Sequence, residues 1–239
     1  MDLGNVIGKS WDEYRKNFKQ LFLLTLVFIG IPTVLAFLIF FMFGINYSEQ
    51  VNIEELKLSA ELIAAISLIG IIGAIFYFIY EAGLIKESLK GFAKFDFHRV
   101  THSGKRNFWK FVWFGIVAMF FLCLLFMALI IPGIIFGIYW SLAIFVYFDS
   151  NKTVMESLRT SFHMVKGNWW RIFGYTIVLV LIFGLVGVIT ELLGYLVTEF
   201  VAGFINTLFT APFAILFYKN IYLGLRGKGK DKIIKKKKK

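Results

Sequence analysis

Long runs of apolar side chains without a single charge recur along this chain, and they constrain its fold more than any other feature. The run Leu21–Phe43 carries no charge and exceeds the roughly 20 residues with which an α-helix crosses the hydrocarbon core of a bilayer. The uncharged run Phe111–Phe148 is too long for one span, and the dipeptide Pro132-Gly133 inside it is a turn signal. We therefore expect a hairpin there and six spans in all: Leu21–Phe43, one within Leu58–Ile85, Phe111–Ile131, Ile134–Phe148, Ile172–Ile189 and Phe200–Phe217.

The overall composition favours lipid as the solvent. Hydrophobic residues make up 59% of the chain and charged residues 17%, whereas soluble domains are about 45–50% apolar and about 25% charged. A water-soluble globule has to cover its surface with polar groups, and this chain has too few of them. The single cysteine, Cys123, excludes an intrachain disulfide and a cysteine-based metal site.

The basic residues indicate how the spans are oriented. With six spans, all of the 26 Lys and Arg residues except Lys57 fall on the same side of the membrane, which we call the basic side. Lys and Arg concentrate in cytoplasmic loops, so we expect a multi-pass protein of the cell membrane with both termini in the cytoplasm. The expected partners are membrane lipids, above all the anionic cytoplasmic leaflet. The net charge of +11 would also suit nucleic acid, but the sequence contains no recognisable base-reading domain, so we expect no specific nucleic-acid partner.

A sequence pattern repeats before the first and fifth predicted spans. Ser10–Phe22 aligns without a gap with Ser161–Phe173, and both contain a serine, a base and an asparagine followed by an aromatic residue at the same spacing. A weaker third copy, Lys105–Phe111, precedes the third span. Chance similarity is the alternative interpretation. Otherwise the pattern predicts that three similar units build the domain. In each unit we expect the asparagine to mark the corner before the next span, because it can cap the following helix or adopt a left-handed conformation at the end of the preceding one.

The segments that carry these copies have apolar residues at helical spacing and bases along their polar edge. Such helices are suited to lie flat at the membrane interface. The expected fold is all-α and polytopic, with six transmembrane helices as three hairpins, each preceded by an amphipathic interfacial helix. The membrane domain covers residues 1–226, with interfacial helices at about 2–18, 92–108 and 151–168, and residues 227–239 are expected to form a disordered Lys-rich cytoplasmic tail.

A family resemblance is carried by Ile131–Ile135, Asp149, Ser157–Phe162 and Val165–Arg171, and by Ser10–Phe18 near the N-terminus. Through these stretches the chain resembles the membrane domain attached to some glycerophosphodiester phosphodiesterases, together with its stand-alone, uncharacterised bacterial and archaeal relatives. The resemblance implies a six-span membrane domain. The soluble catalytic barrel of the fused members has no counterpart in this sequence, so the resemblance does not imply their activity.

The repeated segments supply candidate contacts with lipid. Aromatic side chains anchor at headgroup depth, and bases attract anionic headgroups. The candidates are Trp11, Arg15, Asn17, Phe18, Lys105, Asn107, Trp109, Lys166, Asn168, Trp169, Trp170 and Arg171.

Polar residues within the spans form a second candidate site. Glu81 follows an apolar run, and acids within a membrane are often functional; a helix-end residue paired with Lys86 is the plainer interpretation. Asn206, Thr207 and Thr210 form a polar cluster in the sixth span. Such residues can line a pathway, but they more often make hydrogen bonds between helices.

Two histidines, His98 and His102, are spaced i, i+4, and with a carboxylate such as Asp96 they could bind a metal ion. An interfacial loop is the interpretation that we favour for this segment, because Gly104 follows soon after. We therefore expect no metal site.

The sequence contains no Gly-rich phosphate loop, no nucleophile elbow and no paired catalytic carboxylates. We expect neither enzymatic activity nor a cofactor. The favoured function is a non-enzymatic integral membrane protein that binds lipid or organises the membrane. The alternative is a transporter or permease component for a small apolar or amphipathic solute, which would need a cavity at mid-membrane. A homo-oligomer or another protein partner stays open.

Overall fold

The computed structural model describes residues 2–42, 60–90, 96–150, 152–194 and 199–237. In this part of the chain there is no β-strand, and nearly all residues are helical. The elements are α1 (Leu3–Lys16), α2 (Phe18–Thr25), a π-helical turn (Leu26–Gly30), α3 (Ile31–Met42), α4 (Ala60–Leu89), α5 (Phe97–Ala128), α6 (Ile130–Trp140), α7 (Ala143–Asp149), α8 (Val154–Val165), α9 (Trp169–Gly194) and α10 (Glu199–Lys237).

Among the described residues, six helical segments are long and apolar enough to cross a membrane, which confirms an all-helical, six-span architecture for this part of the chain. The chain is a multi-pass membrane protein. The segments are Phe18–Leu35, Ser67–Leu89, Phe97–Met127, Ile130–Asp149, Trp169–Leu192 and Ile205–Gly227.

The main core lies where the helices meet. Leu24, Tyr80, Leu142 and Phe217 are fully buried there, in one cluster. The Tyr80 hydroxyl lies 3.1 Å from the Thr25 hydroxyl, within hydrogen-bond distance. The Thr25 hydroxyl also donates to the Leu21 carbonyl at 2.8 Å, so the bond between the two hydroxyls supplies a partner for the buried Tyr80 hydroxyl. It also ties α2 to α4.

α5 packs antiparallel against α6 and α7. Phe114 contacts Tyr147, with ring centroids 5.3 Å apart, and Phe121 contacts Trp140, with centroids 6.4 Å apart. The pairs are ordered in opposite directions along the two arms, so α5 and the arm formed by α6 and α7 are an antiparallel pair joined as a hairpin. The arrangement of the whole domain as three hairpins stays a prediction.

The turn of this hairpin lies at Leu129 and not at Pro132-Gly133 as predicted. Leu129 is extended (φ −163°, ψ 139°), and α6 begins at the next residue. Pro132 is therefore in the first turn of a helix, where its missing N–H removes no intrahelical hydrogen bond. Gly133 faces the other arm, since a methyl group there would lie 2.6 Å from the Phe126 ring.

α4 and α5 cross at very short range. A methyl group on Gly83 would lie 2.2 Å from the Val100 carbonyl oxygen, and one on Gly104 would lie 2.0 Å from the Ile79 carbonyl oxygen. Each helix thus offers a glycine to the backbone of the other, which is how small residues bring membrane helices together.

α1 packs lengthwise and antiparallel along α10. The Ser10 hydroxyl oxygen accepts a hydrogen bond from the Asn220 amide at 3.0 Å. One turn further along α1, Tyr14 contacts Phe213, with ring centroids 6.1 Å apart. Val6, Ser10 and Tyr14 are buried, so this face of α1 packs on protein. α10 thus covers the buried face of α1, and the interfacial position of helix 2–18 stays a prediction.

The predicted interfacial helix 92–108 is not a separate element. Residues 92–95 lie outside the described residues, and from Phe97 to Ala128 the chain is one helix of 32 residues. Asp96 caps its start by accepting a hydrogen bond from the His98 N–H at 3.3 Å. The predicted corner at Asn107 is absent because its side-chain amide donates to the Ser103 carbonyl, 2.8 Å away within the same helix.

The tail also differs from the prediction. α10 continues to Lys237, through most of the segment expected to be disordered. Lysine has a high helix propensity, so a lysine-rich sequence can extend a helix that packing has already started.

Candidate functional site

The corner between α8 and α9 carries several of the predicted lipid contacts, and defined hydrogen bonds hold it in place. α8 starts with a capping box, in which the Thr153 hydroxyl accepts from the Glu156 N–H at 3.3 Å and the Glu156 carboxylate accepts from the Thr153 N–H at 2.9 Å. Hydrogen bonds from the Thr153 N–H and hydroxyl lower the pKa of Glu156. The start of α8 is therefore well defined.

The corner itself turns at Gly167. Its φ of +88° is the single positive φ among the described residues, and a side chain there would be strained. The Asn168 N–H donates to the Val165 carbonyl at 2.8 Å, and the Asn168 carbonyl accepts from the Ile172 N–H at 3.0 Å. The sequence predicted that the asparagine would mark the corner, but the glycine before it supplies the left-handed conformation.

α8 packs lengthwise and antiparallel along α6 and α7. The Ser161 hydroxyl, fully buried, donates to the Tyr139 carbonyl at 2.7 Å. Further along, the Trp169 indole N–H donates to the Ile135 carbonyl at 3.2 Å. The interfacial position of helix 151–168 stays a prediction, as it does for α1. The buried face of α8 is covered by neighbouring helices.

These contacts bring together two segments that the sequence analysis assigned to opposite ends of the spans. Ile131 and Ile135 belong to the hairpin end of α6, whereas Trp169 starts α9. They meet because α8 returns along α6 and α7 and does not lie across the end of the bundle.

Between the two segments lies a cavity of about 870 Å³, which we call the aromatic cavity. Its size is within the range of roughly 300–1,000 Å³ of small-molecule sites. Most of its surface is aromatic or aliphatic, and Arg171 brings a cation to it. It is lined by Ile131, Ile134, Ile135, Tyr139, Gly167, Asn168, Trp169, Trp170, Arg171 and Phe173.

The tryptophans of the cavity differ in role. Trp169 stacks on Phe173, with ring centroids 5.0 Å apart, and its hydrogen bond to α6 holds it in place. Trp170 is 78% exposed and is free to contact a ligand or lipid. A wall of this kind can accept an acyl chain while Arg171 binds an anionic group.

The other predicted lipid contacts are divided between surface and interior. Trp109 is 78% exposed and Trp11 is 53% exposed. Asn17 and Asn107 are buried, in contrast to the prediction. Their amides donate to the carbonyl four residues earlier in the same helix, so they act in helix structure. The exposed remainder is Arg15, Phe18, Lys105 and Lys166.

The predicted intramembrane polar site does not assemble around a cavity. Glu81 accepts a hydrogen bond from the Tyr77 hydroxyl at 2.7 Å. The Thr207 and Thr210 hydroxyls donate to carbonyls of α10, the latter to Asn206 at 2.9 Å. Each of these hydrogen bonds joins two residues of the same helix, α4 for Glu81 and α10 for the two threonines. The aromatic cavity is not lined by Glu81, Asn206, Thr207 or Thr210.

Sequence reasoning missed a set of polar contacts that the middle of α10 makes with α1 and with the end of α7. Lys219, which is 1% exposed, forms an ion pair with Glu13. Asp149 accepts a hydrogen bond from the Tyr222 hydroxyl at 2.6 Å and pairs with Arg226 at 2.6 Å. A signal was present in the sequence, since Asp149 is the first charge after the long uncharged run. Its partners are far away in the chain and could not be read from spacing.

Comparison of the chain with protein-family models, with curated proteins and with solved structures finds no match. Among the described residues, no three His, Cys, Asp or Glu side chains come together as a metal site. The resemblance noted in the sequence analysis therefore stays a prediction. A function is therefore inferred from the geometry of the α8–α9 corner and the aromatic cavity.

Proposed function

We propose that this protein is a non-enzymatic membrane protein that binds a lipid with an anionic headgroup in the aromatic cavity. The observation that carries the proposal is the cavity itself, with its apolar walls and Arg171. An acyl chain would contact Ile131, Ile134 and Trp170, and the headgroup would pair with the guanidinium.

The surface around the bundle supports the same interpretation. Trp11, Trp109 and Trp170 come from the three copies of the repeat, and all are exposed. Tryptophan is enriched at headgroup depth, and Arg15, Lys105 and Arg171 supply bases close to them in the chain. The proposal includes a location in the cell membrane, with both termini in the cytoplasm.

The test uses two variants of the cavity, Trp170→Ala and Arg171→Gln. Both residues are exposed, so the fold should persist. We expect both variants to lose most of the lipid that copurifies with the wild-type protein in mild detergent, quantified by mass spectrometry. Arg171→Gln should lose anionic lipids selectively, since it removes the charge and keeps most of the side chain.

Matched controls are Trp113→Ala and Lys166→Gln. Trp113 is 59% exposed on α5, and Lys166 is exposed at the same corner, but neither lines the aromatic cavity. Both controls should keep their lipid. Equal lipid content in all variants and in the wild type would overturn the proposal. The transporter alternative has no such observation in its favour, because its predicted residues do not line the aromatic cavity.

A further inference from the structure

A second, smaller cavity lies between the end of α4 and the beginning of α5. Its volume is about 260 Å³, too small for a whole lipid but sufficient for a single phosphate group. We call it the basic cleft, and it shares no residue with the aromatic cavity. It is lined by Glu87, Lys90, His98, Arg99, His102, Ser103 and Arg106.

The cleft exists because of the way α4 and α5 pack. His98, His102 and Arg106 recur every four residues and therefore share one side of α5. Gly83 and Gly104 let the two backbones approach closely. Lys90, at the end of α4, is thereby brought beside the first turns of α5.

Positive charge exceeds negative charge in the cleft. Glu87 forms an ion pair with Lys90 at 2.6 Å, and Arg99 pairs with Asp96 at 3.5 Å. For Arg106 the described residues supply no ion-pair partner. The guanidinium of Arg106 is thus available to an anion, and the imidazoles can add ring N–H donors.

Ser103 is the second, independent sign of a ligand. Its side chain lines the cleft and is 3% exposed. Among the described residues, its hydroxyl is the one buried side-chain polar atom without a hydrogen-bond partner. Helical Ser and Thr side chains commonly donate to the carbonyl four residues back, as Thr101 does to Phe97 at 2.9 Å in the same helix. Buried polar groups in native proteins are nearly always paired, so the Ser103 hydroxyl points to a missing partner.

We propose that the basic cleft binds a phosphate group, held by Arg106, with Lys90, Arg99 and the two imidazoles around it and the Ser103 hydroxyl as a donor. Phosphate suits this set because it accepts hydrogen bonds from several directions and carries a charge that guanidinium groups match. The group can come from a lipid headgroup or from soluble phosphate, which the same residues would recognise. The proposal goes beyond lipid binding in the aromatic cavity and does not depend on it.

The test is binding of radiolabelled inorganic phosphate to the full-length protein in detergent micelles, measured by equilibrium dialysis. We expect Arg106→Gln to weaken binding about tenfold, the effect of losing one charge-assisted hydrogen bond. Ser103→Ala should weaken it less, about three- to tenfold. The matched control is Lys110→Gln, which removes the same charge from an exposed residue of α5 that does not line the cleft, and it should bind like the wild type.

Nanodiscs distinguish the two sources of phosphate. The wild-type protein is placed in phosphatidylcholine alone or with phosphatidic acid, whose headgroup is a phosphate monoester. If the headgroup is the ligand, phosphatidic acid displaces the radiolabelled phosphate, and its retention in native mass spectra requires Arg106. If soluble phosphate is the ligand, binding is equal in both nanodiscs.

Either of these results supports the cleft as a phosphate site. The proposal is overturned if the binding of neither phosphate nor phosphatidic acid depends on Arg106, or if Lys110→Gln has the same effect as Arg106→Gln. If Arg106→Gln fails to fold, Ser103→Ala still tests the proposal. This variant removes one oxygen atom from a packed helix and leaves the charge of Arg106 in place.

Discussion

Two helical corners of this protein share a sequence pattern, and their surroundings differ. At each corner a short amphipathic helix ends near an asparagine and a candidate span follows, α1 and α2 at Asn17 and α8 and α9 at Asn168. The aligned serines Ser10 and Ser161 are both fully buried, and each makes a hydrogen bond to a neighbouring helix. The shared positions thus serve the same purpose in both copies, which is to fasten the short helix to the bundle.

The positions that differ explain what each corner adds. Glu13 in α1 binds Lys219 of α10, whereas the aligned residue of α8 is Met164. Trp170 and Arg171 line the aromatic cavity, and in the first copy a lysine and a glutamine occupy those positions. The repeated residues therefore stabilise the fold in both copies. The unrepeated residues distinguish the ion pair of the first corner from the proposed lipid site of the second.

The largest effect should come from breaking the Glu13–Lys219 ion pair, which joins the first corner to α10. Glu13→Gln removes the carboxylate charge from the ion pair with Lys219, whose side chain is 2% exposed, and removal of one partner of a buried pair costs about 3–5 kcal/mol. We expect a loss of that size in the free energy of unfolding, measured by denaturant titration in mixed micelles.

A double variant sharpens this prediction. Replacing both residues with methionine, Glu13→Met with Lys219→Met, imitates the apolar residue of the second corner. Because it leaves no unpaired charge, most of the stability should return. A double variant that is less stable than Glu13→Gln would show that the ion pair is not the reason for the first loss.

The next effect concerns the turn at the second corner. Gly167→Ala places a side chain in a left-handed conformation, which costs about 1–2 kcal/mol. A methyl group at this position would meet no atom within 4 Å, so backbone strain alone is expected to act. The measurement is the same unfolding titration.

The aligned residue of the first corner, Lys16, supplies the control. No described residue other than glycine has a positive φ, so Lys16→Ala introduces no strain and should change stability by about 0.5 kcal/mol or less. If both alanine variants behaved alike, the idea that the two corners turn by different means would be wrong.

The sequence predicted the coarse architecture because that depends on local composition. Span number follows from apolar length, and Trp169, Trp170 and Arg171 were expected at a corner with lipid contacts. The other wall of the aromatic cavity was not expected. Ile131 and Ile135 were assigned to the opposite end of a span, because no local signal shows that α8 returns along α6 and α7.

The basic cleft shows the same limit. The i, i+4 spacing of His98 and His102 was recognised, but the segment was expected to be a loop, and Lys90 could not be connected with it. The missing information is the close crossing of α4 and α5 at Gly83 and Gly104. A glycine in a helical sequence can mark a close contact or a helix end, and only the packing partner decides between them.

The smallest expected effect is a difference between the two short helices, α1 and α8, in how their first turns respond to pH. α8 starts with the Thr153–Glu156 capping box, whereas Asp2, at the start of α1, makes no side-chain capping bond. Because the pKa of Glu156 is lowered in the folded protein, its contribution to stability is present above the unfolded pKa and is lost as the pH falls through the folded pKa. We expect acidification from about pH 6 to about pH 3 to loosen the first turn of α8 more than that of α1.

Hydrogen exchange followed by mass spectrometry measures this difference, after correction for the intrinsic effect of pH on exchange. The control variant Glu156→Gln keeps an acceptor for the Thr153 N–H but cannot titrate, so it should remove the pH dependence of α8 and leave α1 unchanged. Acid loosening that persists in Glu156→Gln would mean that another group controls the start of this helix, and the two corners would then differ only in their turn and in their partners.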